Sequence, residues 1–263
     1  MTRPLLIVGG GLFGSQAAAY ARRRGIAATV FDAGLAGAAS PAAAGLFQEA
    51  WAGRKLKAHF DRALPILDRL YGIRHVQLTH DDGQKESFLF VPPTAILERN
   101  PIRQSVTAVG DGWLEAAGQR HEGWVYIAAG VWCAQFHAGL RLTCKAGASF
   151  VFAGEREGRI RPIARGRQAV AFVRDAGATF FSDGTAETDY ADEHDRATLE
   201  RALSLGLTEM PTQRIWGRRP YAPGGPVFLR IGERTWLATG GRKMGTILGA
   251  SFAKRLIDDE LRN

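Results

Sequence analysis

Residues 4–33 read PLLIVGGGLFGSQAAAYARRRGIAATVFDA, and this stretch constrains the fold more than any other. Leu5 to Val8 is a short apolar run suited to a buried parallel strand. Gly9, Gly11 and Gly14 follow at G-x-G-x-x-G spacing, and a helix pattern runs from Leu12 to Arg24, stopped by Gly25. Ala28 to Phe31 is a second strand, ended by Asp32. Gly9 permits the tight turn, Gly11 lets a pyrophosphate approach the backbone, and Gly14 lets the helix pack close to the strand. Leu12 and Phe13 open the helix, whose N-terminal N–H groups and positive dipole end face the phosphates. Asp32 is placed to accept hydrogen bonds from a ribose diol, with Ala33 beside it. The spacing alone would also suit a glycine-rich turn that binds nothing. Here the strand, helix and acid that a dinucleotide site requires are all present. An acid at this position suits NAD or FAD and argues against NADP, whose 2′-phosphate it would repel.

The remaining composition narrows the class. At 263 residues and 46% hydrophobic, the chain can bury a sizeable core, in one large domain or two interleaved ones. The net charge of +8 comes from scattered rather than clustered arginines, which reads as a solvated surface and argues against nucleic acid as a partner. Steering of an anionic substrate or an acidic protein stays open. The only cysteines are Cys133 and Cys144, without metal-ligand spacing, which fits a reducing, cytoplasmic compartment. No apolar stretch approaches the roughly 20 residues of a membrane span.

Residues 34–48, GLAGAASPAAAGLFQ, are small and almost uncharged. A linker would be polar, so close backbone approach to a bulky planar ligand explains the composition better. Within it, Ser40-Pro41-Ala42-Ala43-Ala44-Gly45-Leu46 resembles the second flavin-contacting segment of the D-amino-acid oxidase, glycine oxidase and sarcosine oxidase (DAO) superfamily of FAD enzymes. The resemblance implies that Ser40, Ala44, Gly45 and Leu46 lie along the pyrophosphate and the isoalloxazine ring.

Residues 54–70 form an amphipathic helix pattern, with a kink expected at Pro65 and His59 read as a surface or satisfied polar residue. The segment from Ser105 to Trp132 alternates strands and turns and resembles the family's three-stranded insert, returning to the central sheet through Ala128-Ala129-Gly130. The resemblance places Val106 on the adenine and Ala129, Gly130 and Trp132 against the cofactor. A β-rich stretch over 145–190 and a helix over Asp195 to Leu207, with Leu199, Ala202, Leu203 and Leu207 on one face, suit a substrate-binding half.

Two further motifs close the chain. Gly217-Arg218-Arg219-Pro220 resembles the family's Gly-x-Arg-Pro element, which implies that Arg219 points to the flavin and holds a substrate carboxylate. The Asp-Gly that usually follows is replaced by Pro223-Gly224-Gly225-Pro226. Gly240 to Thr246 is a second glycine-rich strand-to-helix turn, comprising Gly240, Gly241, Arg242, Lys243, Met244, Gly245 and Thr246. An NAD enzyme has no need of it, whereas a flavin gains from a second helix N-terminus where negative charge develops on reduction. The family's residue at the Lys243 position also binds carboxylate. For Arg219 and Lys243 an ordinary surface ion pair is the competing reading.

The resemblance, to an unusually short member of the superfamily, implies an α/β architecture. A Rossmann-like, glutathione-reductase-like FAD-binding domain (1–58, 100–142, 212–263) is expected, with an interleaved antiparallel β-plus-helix substrate domain (59–99, 143–211). It implies noncovalent FAD, no metal, and a small amine or amino-acid substrate oxidised at its C–N bond. Hydride transfer to flavin N5 gives an imine that hydrolyses, as in an amine or amino-acid oxidase or dehydrogenase. Arg219 and Lys243 are the candidate catalytic-site residues. The small substrate half leaves room for a hetero-oligomeric protein partner. A redox-sensing nucleotide-binding protein and an NAD-only dehydrogenase are the remaining alternatives.

Overall fold

The computed structural model describes residues 3–163, 167–188 and 192–261. The expected 145–190 β-rich stretch thus lies outside the described residues at 164–166, 189 and 190. In chain order, β1 (Leu5–Val8), α1 (Leu12–Arg23) and β2 (Ala28–Phe31) form the opening unit as its pattern predicts. The short β3 (Leu46–Phe47), α2 (Glu49–Tyr71), β4 (Arg74–Thr79), β5 (Lys85–Phe90) and α3 (Pro93–Ile96) follow. Then come β6 (Val106–Gly110), β7 (Trp113–Ala116), β8 (Gln119–Glu122) and β9 (Trp124–Ile127), with a 3₁₀ turn over Gly130–Gln135. Next are β10 (Thr143–Ala153), β11 (Arg159–Ile163), β12 (Arg167–Asp175), β13 (Ala178–Ser182) and α4 (Asp192–Ser204). The chain closes with β14 (Gln213–Tyr221), β15 (Val227–Arg230), β16 (Thr235–Thr239) and α5 (Gly245–Lys254), which runs on as a π-helical turn over Arg255–Glu260.

Three sheets result. A five-stranded sheet has the order β15-β16-β9-β1-β2, parallel except for β15. Its strands are apolar on both faces. Leu5, Ile7, Tyr126, Trp236 and Ala238 face α1, α2 and α5, while Leu6, Val8, Val125, Ile127 and Leu237 face the three-stranded sheet β6-β7-β8. Burial on two sides is what parallel strands require. The eight-stranded sheet, β14-β10-β13-β12-β11-β4-β5-β3, carries α4 on one face through Phe150, Phe181 and Ala202. On its other face Leu46, Phe88, Phe90, Val170 and Phe172 pack together.

Several expectations are corrected. The break in α2 falls at Gly53 (φ 57°), a left-handed conformation that glycine adopts without strain, and Pro65 stays within the helical run. On α4 the buried residues are Thr198 and Ala202, with Leu205 and Leu207 beyond the helix end. Leu203, one position and about 100° round from Ala202, is 53% exposed. The expected division at 59 and 212 also cuts across packing. Residues 60–67 of α2 share a core with α1 and α5, and β14 is hydrogen-bonded to β10 along its own whole length. We therefore propose to count α2 with the cofactor-side layer and β14 with the eight-stranded sheet. His59 is satisfied, its Nδ1 lying 2.9 Å from Ser251 Oγ with the ring edge-on to Phe252. Among the described residues no helix is long and apolar enough to cross a membrane.

Candidate active site

The parallel strands β1, β2, β9 and β16 all end on one cavity of about 540 Å³, lined at those ends by Gly9, Asp32, Ala128 and Gly240. The carboxyl ends of parallel strands are where open α/β sheets bind their ligands. The opposite wall belongs to the eight-stranded sheet and to the small-residue segment 38–46.

At the first turn, the glycine requirement is steric. A Cβ on Gly14 would lie 1.9 Å from the Gly9 carbonyl oxygen, and one on Gly9, held at φ 101°, would lie 2.7 Å from Ala128 O. Gly14 is thus the residue that lets α1 approach β1, and it alone of the expected site residues is off the cavity wall. α1 has no acidic residue in its first turn and no capping side chain of its own. The Leu12 N–H is met instead by Ser40 Oγ at 2.9 Å, which brings the second segment onto the helix N-terminus. Asp32 braces the turn. Its carboxylate accepts from Gly10 N at 2.5 Å and Gly34 N at 2.7 Å, with Arg103 Nη1 3.4 Å away. Ala33, Val106 and Trp132 line the cavity as well.

At the second turn, Gly240 is left-handed (φ 76°), and so is Arg242 (φ 48°), a conformation that costs a non-glycine residue about 1–2 kcal/mol. Arg242 lies over the Tyr221 ring and donates to Ala222 O at 3.3 Å. α5 starts at Gly245 after the N-cap Met244, again with no acid in its first turn and no side-chain cap. Met244, Gly245 and Thr246 line the cavity, as do Ala44, Gly45, Leu46, Ala129, Gly130 and Gly241.

Arg219 and Lys243 are brought together here. Arg219, on β14, has a buried Nη1 with no hydrogen-bond partner among the described residues. Burial pushes its pKa below the ordinary arginine value, with Tyr221 and Asp183 opposing. Burial also lowers the Lys243 pKa, reinforced by the Arg219 and Arg167 cations and opposed by Asp183. Asp183, fully buried, is already engaged by Thr185 N and Oγ1 at 2.8 Å, by Thr198 Oγ1 at 3.3 Å and by Arg201. A Cβ on Gly184 would sit 3.0 Å from Lys243 Nζ, so glycine there gives the ammonium its room.

The sequence reading passes over Arg218, Gln168, Ser182 and Trp51, all on the wall. Arg218 lies next to the motif arginine and hydrogen-bonds Ala36 O at 3.2 Å, while no local pattern marks the other three.

Two phosphate-ready helix N-termini, a glycine cradle that a Cβ would fill and a buried guanidinium nitrogen without a partner together fit a flavin dinucleotide. The sequence profile described as "DAO: FAD dependent oxidoreductase" matches residues 5–84. That match covers somewhat under a third of the chain, its first strand–helix–strand unit and the segments that follow it. Iminodiacetate oxidase from Chelativorans sp. BNC1 has a similar structure (TM-score 0.75, 16% identity), with 98% of this chain and 95% of that one covered. Glycine oxidase from Bacillus cereus ATCC 14579 (TM-score 0.72, 15% identity, 99% and 97% covered) is also similar. So is L-proline dehydrogenase from P. horikoshii (TM-score 0.72, 13% identity, 98% and 94% covered). At these identities the likeness shows the DAO fold. No curated protein matches the sequence. The matched profile and the shared fold make this an FAD-dependent oxidoreductase, and the cavity is where its residues can hold FAD.

Proposed function

We propose that this enzyme oxidises the C–N bond of a small amine or amino acid bearing one carboxylate, with FAD held noncovalently. The observation that carries the reading is the partnerless, buried Nη1 of Arg219 beside Lys243 on the cavity wall. A buried guanidinium N–H without an acceptor is costly, and a carboxylate is the group that satisfies a guanidinium fork. The wall carries four cations, Arg218, Arg219, Arg242 and Lys243, against the single acid Asp32. Asp32 is engaged at the first turn by Gly10 N, Gly34 N and Arg103, which leaves Arg219 and Lys243 without an acid of the wall and suited to a carboxylate. The three neighbours named above share the fold and, by their names, act on glycine, iminodiacetate and proline, which supports a substrate of this class.

Bound here, FAD would supply the two-electron acceptor for a hydride leaving the substrate α-carbon. The chain's residues supply the rest. Arg219 and Lys243 fix the carboxylate and so orient the adjacent C–H. The same cations, with Arg167 nearby, lower the pKa of a bound ammonium and favour the neutral amine that reacts. The α5 N-terminus at Met244 to Thr246 directs N–H groups at developing negative charge. The test is anaerobic addition of glycine, sarcosine, proline and D-alanine to the purified yellow protein. Bleaching of the visible flavin band by at least one of them is expected. A band that none of these, nor a wider panel of amines, reduces would sink the proposal.

A further inference from the structure

Arg174 and Ser149 stand outside the cavity wall, yet both grip one of its segments. Residue 174 is the extra residue of a β-bulge. Val173 pairs with Thr179 and Asp175 with Ala178, so the register slips between them. Bulges re-aim a side chain, often beside a functional site. The Arg174 side chain is 7% exposed, its guanidinium sits 4.2 Å from the centroid of the Phe180 ring, and Nε donates to Asp175 at 2.8 Å. Its Nη1 donates to the carbonyls of Pro41 at 3.1 Å and Ala43 at 3.2 Å. Between them, the Ala42 carbonyl accepts from Oγ of fully buried Ser149 on β10, at 3.2 Å. Three successive carbonyls are thus tied to the eight-stranded sheet. The segment's ends are also anchored there, Ala38 bridging to Arg218 on β14 and Leu46–Phe47 pairing with β5.

A trans peptide places its C=O and its N–H on opposite sides. Drawing the carbonyls of 41, 42 and 43 towards the sheet turns the N–H groups of 42, 43 and 44 away from it. The Ala43 N–H is used by Ser40 O at 3.2 Å. Those of Ala42 and Ala44 have no partner among the described residues, and both alanines line the cavity. An N–H on a cavity wall takes its acceptor from whatever fills the cavity.

We infer that Arg174 and Ser149 are positioning residues that aim the Ala42 and Ala44 N–H groups at bound FAD. Neither touches the cofactor; both act through the segment they hold. The inference rests on FAD occupying this cavity, and wild-type protein that retains no FAD would overturn that premise instead. The test compares holoproteins of Arg174→Met, Arg174→Lys and Ser149→Ala with wild type. Three quantities are read: the FAD dissociation constant, the visible spectrum and the reduction potential of the bound flavin. Misaiming the donors is expected to weaken FAD binding about tenfold in Arg174→Met and about threefold in Ser149→Ala, with Arg174→Lys between them. The flavin band should shift and the potential fall in that same order. An FAD affinity within twofold of wild type, with spectrum and potential unchanged, overturns the inference. A lowered melting temperature with those three readouts unchanged overturns it equally, because the pair is then only structural. Should Arg174→Met fail to fold, Ser149→Ala and Arg174→Lys decide the matter alone.

Discussion

The two glycine-rich turns of this flavoenzyme look alike in sequence and are built differently. At the first, backbone meets backbone: a Cβ on Gly14 would strike the Gly9 carbonyl, and one on Gly9 the Ala128 carbonyl. Its polar supports, Asp32 and Ser40, are acceptors that hold N–H groups in place. At the second, a Cβ on Gly241 would meet the tip of the Phe13 ring at 2.9 Å, and the turn bears two cations, Arg242 and Lys243, on the cavity wall. The first turn is a rigid backbone mould suited to a constant group, the diphosphate. The second offers side-chain charge, suited to groups whose charge changes during turnover.

The sharpest way to break this contrast is to add one methyl group to each turn. Gly14→Ala is expected to cost more than roughly 3 kcal/mol and to yield protein without FAD, because neither backbone can yield. Gly241→Ala should cost only about 1 kcal/mol, since a phenyl ring can tilt. Thermal melts and flavin content read both, and equal damage at the two sites would erase the distinction. Next in size, Arg219→Met should lower kcat/KM for a carboxylate-bearing amine roughly 10²- to 10³-fold, mostly through KM. Amines without a carboxylate should be spared, and steady-state kinetics on matched pairs of substrates would show it.

Smaller is the effect of Asp32→Ala, which frees the N–H groups of Gly10 and Gly34. It should raise the FAD dissociation constant about tenfold while leaving the substrate KM of the FAD-saturated enzyme unchanged. The smallest concerns pH. The Lys243 pKa is lowered by burial and by Arg219. Its charge, present below that lowered pKa, is lost as pH rises through it, and the carboxylate loses one partner there. KM should then rise about three- to fivefold below the ordinary lysine range. Lys243→Gln should abolish that limb of the KM–pH profile, and a limb that persists would assign it to another group.

What could be read from sequence follows the same contrast. The first turn was legible because backbone crowding admits only glycine at fixed spacing, so residues 5–32 declare their fold locally. Arg219 was legible through a motif. Arg174 and Ser149 were not, since each acts on a segment more than 100 residues away and no spacing rule links them. The kink in α2 was misplaced because Pro65 draws the eye, while Gly53 announces its φ only in the structure. Leu203 was misassigned because an apolar residue one step off the buried face looks the same in a helical count. The strand β14 was not legible in Gly217-Arg218-Arg219-Pro220, which lacks strand alternation; its strand character comes from pairing with β10.

The strand order of the five-stranded sheet has a consequence for biosynthesis. β9 sits between β1, made before it, and β16, made well after it. On a ribosome, the fingerprint turn emerges long before the strand whose end supplies the second turn. The nascent protein must therefore carry half a cofactor cradle, with the inner edge of β9 unpaired, until residues 235–254 are free. Non-local parallel pairing of this kind is slow and leaves sticky edges in the meantime. FAD, which would bind only where both turns are in place, would favour the finished sheet over the half-built one, so refolding yield is expected to rise with added FAD.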